Sequence, residues 1–580
     1  MGYLLRLPTR ARLRRAAVLL ATCFLVLLPS RVAFCVEVPA FRITGVAVSE
    51  GGGAPVAGCH LTAMRSGQAA AGRNLPRGDG ENPSAEADAQ GRFTLSLPSA
   101  GSWQIYGYAR GFRRQGFDRH ENFFSAVVLT NASPTYDLRF VLEPDSTVAG
   151  FVLDEAGEGV RNARVTLLAG EPPGPDLGDS GGPVRGSTIT DDRGHYEFAE
   201  LAPGDYVVGV QAEPWYAAVG AAGRRFSGEN VGDAPTDPVL DVVYPQTYFP
   251  GEPDRRSAEV ISLHHGESRQ ADFHLAPIPA THLRIALPSL GPETPQRGQI
   301  FPQVERVSNE GNPFVNAAVQ VDAHGQIDVG GLSPGLYRVT LRGPSGQQAP
   351  SFIRVPGGSA RSLDLSSATP VCELSLHFEG GDAARLQVVF RDVDTGATFV
   401  SFAQGGLQRR TNGPATEKPA AVGERKLEVP SGQYRVTLNG NNDMYLAGIS
   451  MKGQTISGRS VSIGSGSVAL TLRLAQGRAT VQGIVASDGA ALRGAMVMLV
   501  PATFGQAGSI PILRRDQTNT DGSFLVENVI PGDYILLAIE GGWTVNWRDP
   551  STLAGYLVHG IPLTLGAGAT VHQDLVAQRP

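Results

Sequence analysis

Cysteine is scarce in this chain: four residues in 580. Two of them, Cys23 and Cys35, fall in the first 35 residues, which leaves Cys59 and Cys372 far apart. A disulfide framework is thereby excluded, and so is a metal cluster held by thiolates. Charge is also thin, at 18% of residues, but the hydrophobic share is 42% and comes in short pulses, which excludes disorder. After Leu28 no apolar run is long enough to span a bilayer, so the mature chain is expected to carry no transmembrane segment. His-Glu-x-x-His, a hydrolase signature, is missing. Glycine (72) and proline (41) are plentiful instead. Many short strands joined by turns, in several domains of roughly 100–150 residues, fit that composition.

The first 35 residues read as a secretory signal peptide. Arg6, Arg10, Arg12, Arg14 and Arg15 precede the apolar run Ala16 to Leu28, and cleavage after Cys35 places Ala33 and Cys35 at the small-residue positions. Losing six arginines and no acid takes the net charge from −6 to −12. Such a surface repels nucleic acid and anionic lipid, so neither is an expected partner. The expected location is periplasmic, outer-membrane-associated or extracellular.

Behind the leader the chain repeats itself. "TDDRGHYEFAELAPGDYVVGV" from Thr190 returns near the carboxyl end as "TNTDGSFLVENVIPGDYILLA". A glycine turn, an alternating strand and then Gly-x-aromatic recur five times. The turn glycines are Gly91, Gly194, Gly325, Gly423 and Gly522; the second glycines are Gly101, Gly204, Gly335, Gly432 and Gly532. The aromatics are Trp103, Tyr206, Tyr337, Tyr434 and Tyr534, each opening a run of period-two alternation, the mark of a half-buried strand. Each unit closes on a hairpin, aligned on Asn131, Gly266, Gly358, Gly466 and Gly568. Units one, two and five also open alike, as strand, Gly-rich turn and strand, whereas three and four diverge there.

The run from Gly150 to Val210, and again from Gly483 to Leu536, resembles the carboxypeptidase regulatory-like domain. That resemblance implies a transthyretin-like, prealbumin-type β-sandwich with a carbohydrate-binding-like fold, found as repeats in bacterial proteins and not itself catalytic. The expected fold is therefore all-β: a tandem array of about five Ig/transthyretin-like sandwiches after the signal peptide. The expected borders are 1–35 (signal peptide), 36–144, 145–278, 279–370, 371–476 and 477–580. Short junctions leave little room for flexible linkers, and five such units in line make an acidic rod.

Candidate chemistry is weak throughout. "DLGDSGGPV", Asp176 to Val184, matches the nucleophile loop of chymotrypsin-like proteases at Ser180, but the upstream His60 and His120 lack the context a triad needs. His264 and Glu267 have zinc-carboxypeptidase spacing, with His274 nearby, yet they align on a hairpin turn. Asp191-Asp192 and Asn519-x-Asp521 lack the spaced oxygens of a calcium loop and read as turns. Cys59 stands where the sibling units have Ala163 and Ala495, which makes it packing. No catalytic residue, metal ligand or cofactor is expected.

The aromatics are the functional lead. Trp215, Tyr216, Tyr244, Tyr248 and Phe249 in unit two, and Trp543, Trp547 and Tyr556 in unit five, follow the Gly-x-aromatic strand in irregular segments. Flat rings on loops at one end of a sandwich stack on sugars. The sequence thus points to a non-catalytic exported protein binding a polysaccharide or glycan. The alternative is a structural or protein-interaction scaffold with an envelope protein as partner. Exposed rings favour the first reading; rings buried between units favour the second.

Overall fold

The computed structural model describes residues 41–579 apart from 67–81, 171–183, 218–236, 238, 287–300, 309–317, 322–325, 344–345, 348–349, 358–361, 365–367, 382, 384–385, 394–395, 402–423, 441–442 and 505–511. The leader 1–35, Ser180, and the turn glycines Gly325, Gly358 and Gly423 lie outside the described residues.

The chain is all-β, with strands from Phe41–Ser49 to Leu575–Val576 and a short α-helix at Pro550–Leu557. No helix among the described residues is long and apolar enough to cross a membrane. Alternation drives the strands: Arg92–Leu97 runs exposed, buried, exposed, buried along its length, as a strand with one face on a core must.

One pairing pattern returns along the chain. Phe41–Ser49 lies between Arg92–Leu97, antiparallel, and Thr135–Leu142, parallel. Ser146–Leu153 lies likewise between His195–Leu201 and Ser268–Gln270. Thr281–Ala286 sits between Gln326–Leu332 and Ser362–Asp364, and Val371–Glu379 between Glu424–Pro430 and Gly466–Gln476. Ala479–Ser487 repeats it with Ser523–Val529 and Thr570–His572. In the facing sheets, every Gly-x-aromatic strand is antiparallel to an earlier strand of that layer, from His60–Arg65 with Gly101–Tyr108 to Met496–Pro501 with Gly532–Ile539. Units three and four keep both layers although their openings diverge in sequence.

Two local devices explain the repeat. Gly194 has φ +78°, and a Cβ there would come within 2.4 Å of the Val152 carbonyl oxygen; Gly91 and Gly522 stand in the same position against Ala47 and Val485. Only glycine meets both demands. The aromatic is fixed by its polar head. The hydroxyls of Tyr206, Tyr337, Tyr434 and Tyr534 donate to the carbonyls of Ala202, Ser333, Pro430 and Ile530 at 2.6–2.8 Å, four residues back in each case. Trp103 does the same through Nε1–H to Ser99 at 3.2 Å. The bond lets a ring with a polar tip enter the core without an unmet donor.

Cys59 is fully buried, as are Ala163 and Ala495 at the sibling positions, and burial pushes its thiol up to about 12. The cores of units one and two are separate clusters. Units three and four differ, because Val307, Leu336 and Phe352 join the cluster built on Leu374, Phe390, Phe399 and Tyr434. Phe352 meets Phe399 edge-on at 5.6 Å. Units three and four thus share part of one core.

Candidate functional site

The predicted aromatics fall into two environments. In unit two, Glu155 in the Gly-rich opening turn accepts hydrogen bonds from the hydroxyls of Tyr216 and Tyr244, the latter at 2.9 Å. Burial pushes the Glu155 carboxyl up, but the two hydroxyls outweigh it and hold it below the usual range. Tyr216 is pushed up to about 12 by burial and by that carboxylate. Tyr244 is 4% exposed and Tyr248 8%, and Phe249 packs against the unit's core beside Phe273. Trp215 is 73% exposed, its ring at 88° to that of Tyr216.

In unit five the rings turn inward, toward the other end of the chain. Trp547 is 4% exposed, and Tyr556 on the helix Pro550–Leu557 packs against the same cluster. Trp543 donates from Nε1–H to the Gly494 carbonyl at 2.9 Å and presents its face to unit one. There it stacks on His120 and meets Phe123 at 5.4 Å.

Around these rings units one and five form a dense polar contact. Arg515 holds both oxygens of Glu121, at 3.0 and 2.6 Å, while its guanidinium lies over the Trp547 ring at 3.9 Å. This two-pronged arginine–carboxylate geometry is the strong form of an ion pair. Burial works against the Glu121 carboxylate, but Arg515 and the nearby Arg548 charge hold its pKa below the ordinary value. Arg493 reaches Asp118 at 3.2 Å and covers the Phe117 ring. Gln517, 2% exposed, bonds His120 Nδ1 at 3.1 Å, and its amide nitrogen donates to Ser125 Oγ at 2.9 Å and to the Asp118 carbonyl.

The turn of unit five then docks on the strand Val127–Leu129 of unit one. Ala126 N–H donates to Asn519 Oδ1 and Val128 N–H to Thr520 Oγ1, both at 2.9 Å; Thr520 N–H donates back to the Ala126 carbonyl at 3.0 Å. Ser125 Oγ–H completes the row to the Thr518 carbonyl at 2.8 Å. Two ends of the chain are in contact, which overturns the expectation of a rod.

The remaining candidates resolve locally. Asp191 Oδ1 accepts from the N–H groups of Arg193 and His195, at 2.9 and 2.8 Å, and so is turn chemistry. Asn519 does more than the sequence reading gave it, since its side chain caps a strand of unit one. His264 bonds Glu267 within its own turn at 2.9 Å, with the ring largely exposed. Among the described residues no group of three or more His, Cys, Asp or Glu side chains gathers as metal ligands would.

Glu121, Arg515, Gln517 and Ser125 were missed by sequence reasoning. A signal existed in the unit-one stretch "GFRRQGFDRHENFF", which holds the His120 and Phe123 that meet Trp543 and the Glu121 that pairs with Arg515.

No curated protein sequence matches the chain. Among solved structures, the Bacillus anthracis TIE protein is 10% identical over 90% of this chain and 68% of that one, with a TM-score of 0.14. The Streptococcal ancillary pilin is 16% identical over 51% of this chain and 99% of that one, at 0.16. BcpA, the major pilin subunit of Bacillus cereus, is 8% identical over 75% and 99%, at 0.12. At such TM-scores these likenesses bear on neither the arrangement of the units nor their role. The family comparison falls on unit two, whose opening strand, turn glycine and Gly-x-Tyr are described above: residues 147–222 match the carboxypeptidase regulatory-like domain.

Proposed function

We propose that the chain is an exported, non-catalytic scaffold of the cell envelope, built of five β-sandwich modules with the borders the repeat predicts. Its work in this reading is to hold a partner protein against a preset surface, and no substrate is turned over. One observation carries the proposal: Trp543 and Trp547, two of the rings the sequence offered for gripping a ligand, lie instead at the contact of unit five with unit one, Trp543 against His120 and Trp547 under Arg515. A contact in which His120 bonds Gln517, 397 residues further along the chain, favours a rigid assembly over a string of independent binders.

The test has two arms. Chemical crosslinking in intact cells of the source, followed by fractionation, is expected to recover the chain from the envelope, shortened by its leader and joined to a defined protein. Recovery from the cytoplasm at full length overturns the reading. Affinity electrophoresis of the exported chain on bacterial and plant polysaccharides is expected to show no retardation.

A second reading keeps glycan binding in unit two. The observation behind it is the 73% exposure of Trp215 beside Tyr216. Retardation by one polysaccharide, lost in Trp215→Ala, would place that reading ahead.

A further inference from the structure

Arginines gather at the seam between units four and five. Arg478, between the strands Gly466–Gln476 and Ala479–Ser487, donates from Nε and Nη2 to the Met444 carbonyl at 3.1 and 2.6 Å, and from Nη1 to the Asn528 carbonyl at 3.1 Å. Arg514, at the start of the strand Arg514–Gln517, donates from Nη2 to that same Asn528 oxygen at 3.3 Å. Two guanidinium groups therefore converge on one carbonyl. Arg459, just before the strand Ser460–Ile463, adds its charge to the same field. Burial and then the charges of Arg435, Arg478 and Arg514 bring its guanidinium down to about 10. All three side chains are half-buried, so they have lost part of their hydration while staying open to solvent.

Like charges held together cost stability, and carbonyl dipoles offset only part of that cost. Asp443 contributes some compensation at Arg478, but it already accepts the Gly477 N–H at 3.1 Å. Burial and then the Arg514 charge lower Arg478 as well, while burial alone does so at Arg514. The chain as a whole carries a net charge of −6, so a cluster of one sign here runs against its general field. The choice of cation is also specific. A guanidinium offers five N–H donors in a planar fork that matches the oxygens of phosphate and sulfate. Arg514 gives one bond to Asn528, which leaves donors to spare.

We propose that this seam is an oxyanion site, in which Arg478 and Arg514 together bind a doubly charged tetrahedral oxyanion, phosphate or sulfate, free or as a monoester. The site goes beyond the scaffold reading and stands without it. It joins the inter-unit turn to a strand of unit five, so an anion bound there stiffens the seam.

Calorimetric titration of the exported full-length chain with inorganic phosphate, inorganic sulfate and glycerol phosphate tests this, at constant ionic strength set with sodium chloride. Saturable binding of one equivalent of phosphate or sulfate is expected, with a rise in Tm that chloride does not give. Binding of glycerol phosphate alone would assign the site to an esterified anion. Arg514→Gln, which removes the bond to the Asn528 carbonyl within unit five, is expected to weaken binding about tenfold or more. The exposed Arg269→Gln in unit two is expected to leave it unchanged. Absence of saturable heat for all three anions overturns the proposal. So does equal stabilisation by chloride, or undiminished affinity in a folded Arg514→Gln variant.

Discussion

The ring of Trp543 lies flat on the ring of His120, with centroids 5.2 Å apart and planes 10° from parallel. Stacking in this geometry adds to the area the rings bury, and Arg515 sits close enough to Trp543, Phe123 and Trp547 to bind all three rings through its charge. A segment at one end of the chain is thereby tied to a segment at the other.

Replacing Trp543 by alanine should open that contact. The loss is expected to be about 2–4 kcal/mol in denaturant unfolding, the scale of a large aromatic removed from a packed site. X-ray scattering should show a larger radius of gyration, and amide exchange at Val128 should speed up as its bond to Thr520 is lost. An unchanged scattering profile would mean that other contacts hold the ends without this ring.

Acid should weaken the same contact. Glu121 is held below its ordinary pKa when the ends are joined, so its contribution is present above the free carboxyl value of about 4.3 and fades as pH falls through the lower bound value. Scattering between pH 7 and pH 3 is expected to show expansion only in the acid range. Glu121→Gln should remove most of that dependence; a variant with the same acid expansion would assign it to other carboxylates.

At the seam of units two and three the sign is opposite. His282 sits between Asp328, 2.9 Å from Nδ1, and Asp241, 2.9 Å from Nε2. Its pKa is raised to about 9, first by the Asp328 hydrogen bond and then by the two carboxylate charges, against burial. The stabilisation is complete below the free imidazole value of about 6.5 and is lost as pH rises through about 9. Exchange at Ala280, whose N–H bonds the Asp241 carbonyl at 2.9 Å, should accelerate above that pH beyond the ordinary base-catalysed increase. His282→Gln should show the faster exchange at neutral pH already.

The i−4 hydrogen bond of the repeat can be removed cleanly. Tyr434→Phe and Tyr534→Phe keep the ring and strand the carbonyls of Pro430 and Ile530, so each should cost about 1–2 kcal/mol. Equilibrium unfolding measures this directly. Variants as stable as the parent would show that the phenol serves only to fill space.

Much of this protein is local physics, and the sequence carries local physics well. Period-two alternation set the strands, and Gly194 and Gly522 announced turns because no residue with a Cβ fits their φ and their distance from the neighbouring strand. Cys59 could be read as packing because the repeat supplied Ala163 and Ala495 for comparison. The phenol bonds of Tyr206 and its siblings span four residues and were within reach of the same reasoning.

What the tertiary structure decided is which surfaces meet. Phe352 looks like any strand residue, yet it completes a core shared with the next unit. Trp543 and Trp215 are alike in sequence context; one is covered by His120 and the other stands 73% exposed. No periodicity distinguishes them. The difference arises from the relative placement of whole units, which brings Asn519 and Thr520 to the segment that runs into the strand Val127–Leu129. That geometry depends on every junction between them, and no single stretch of sequence contains it.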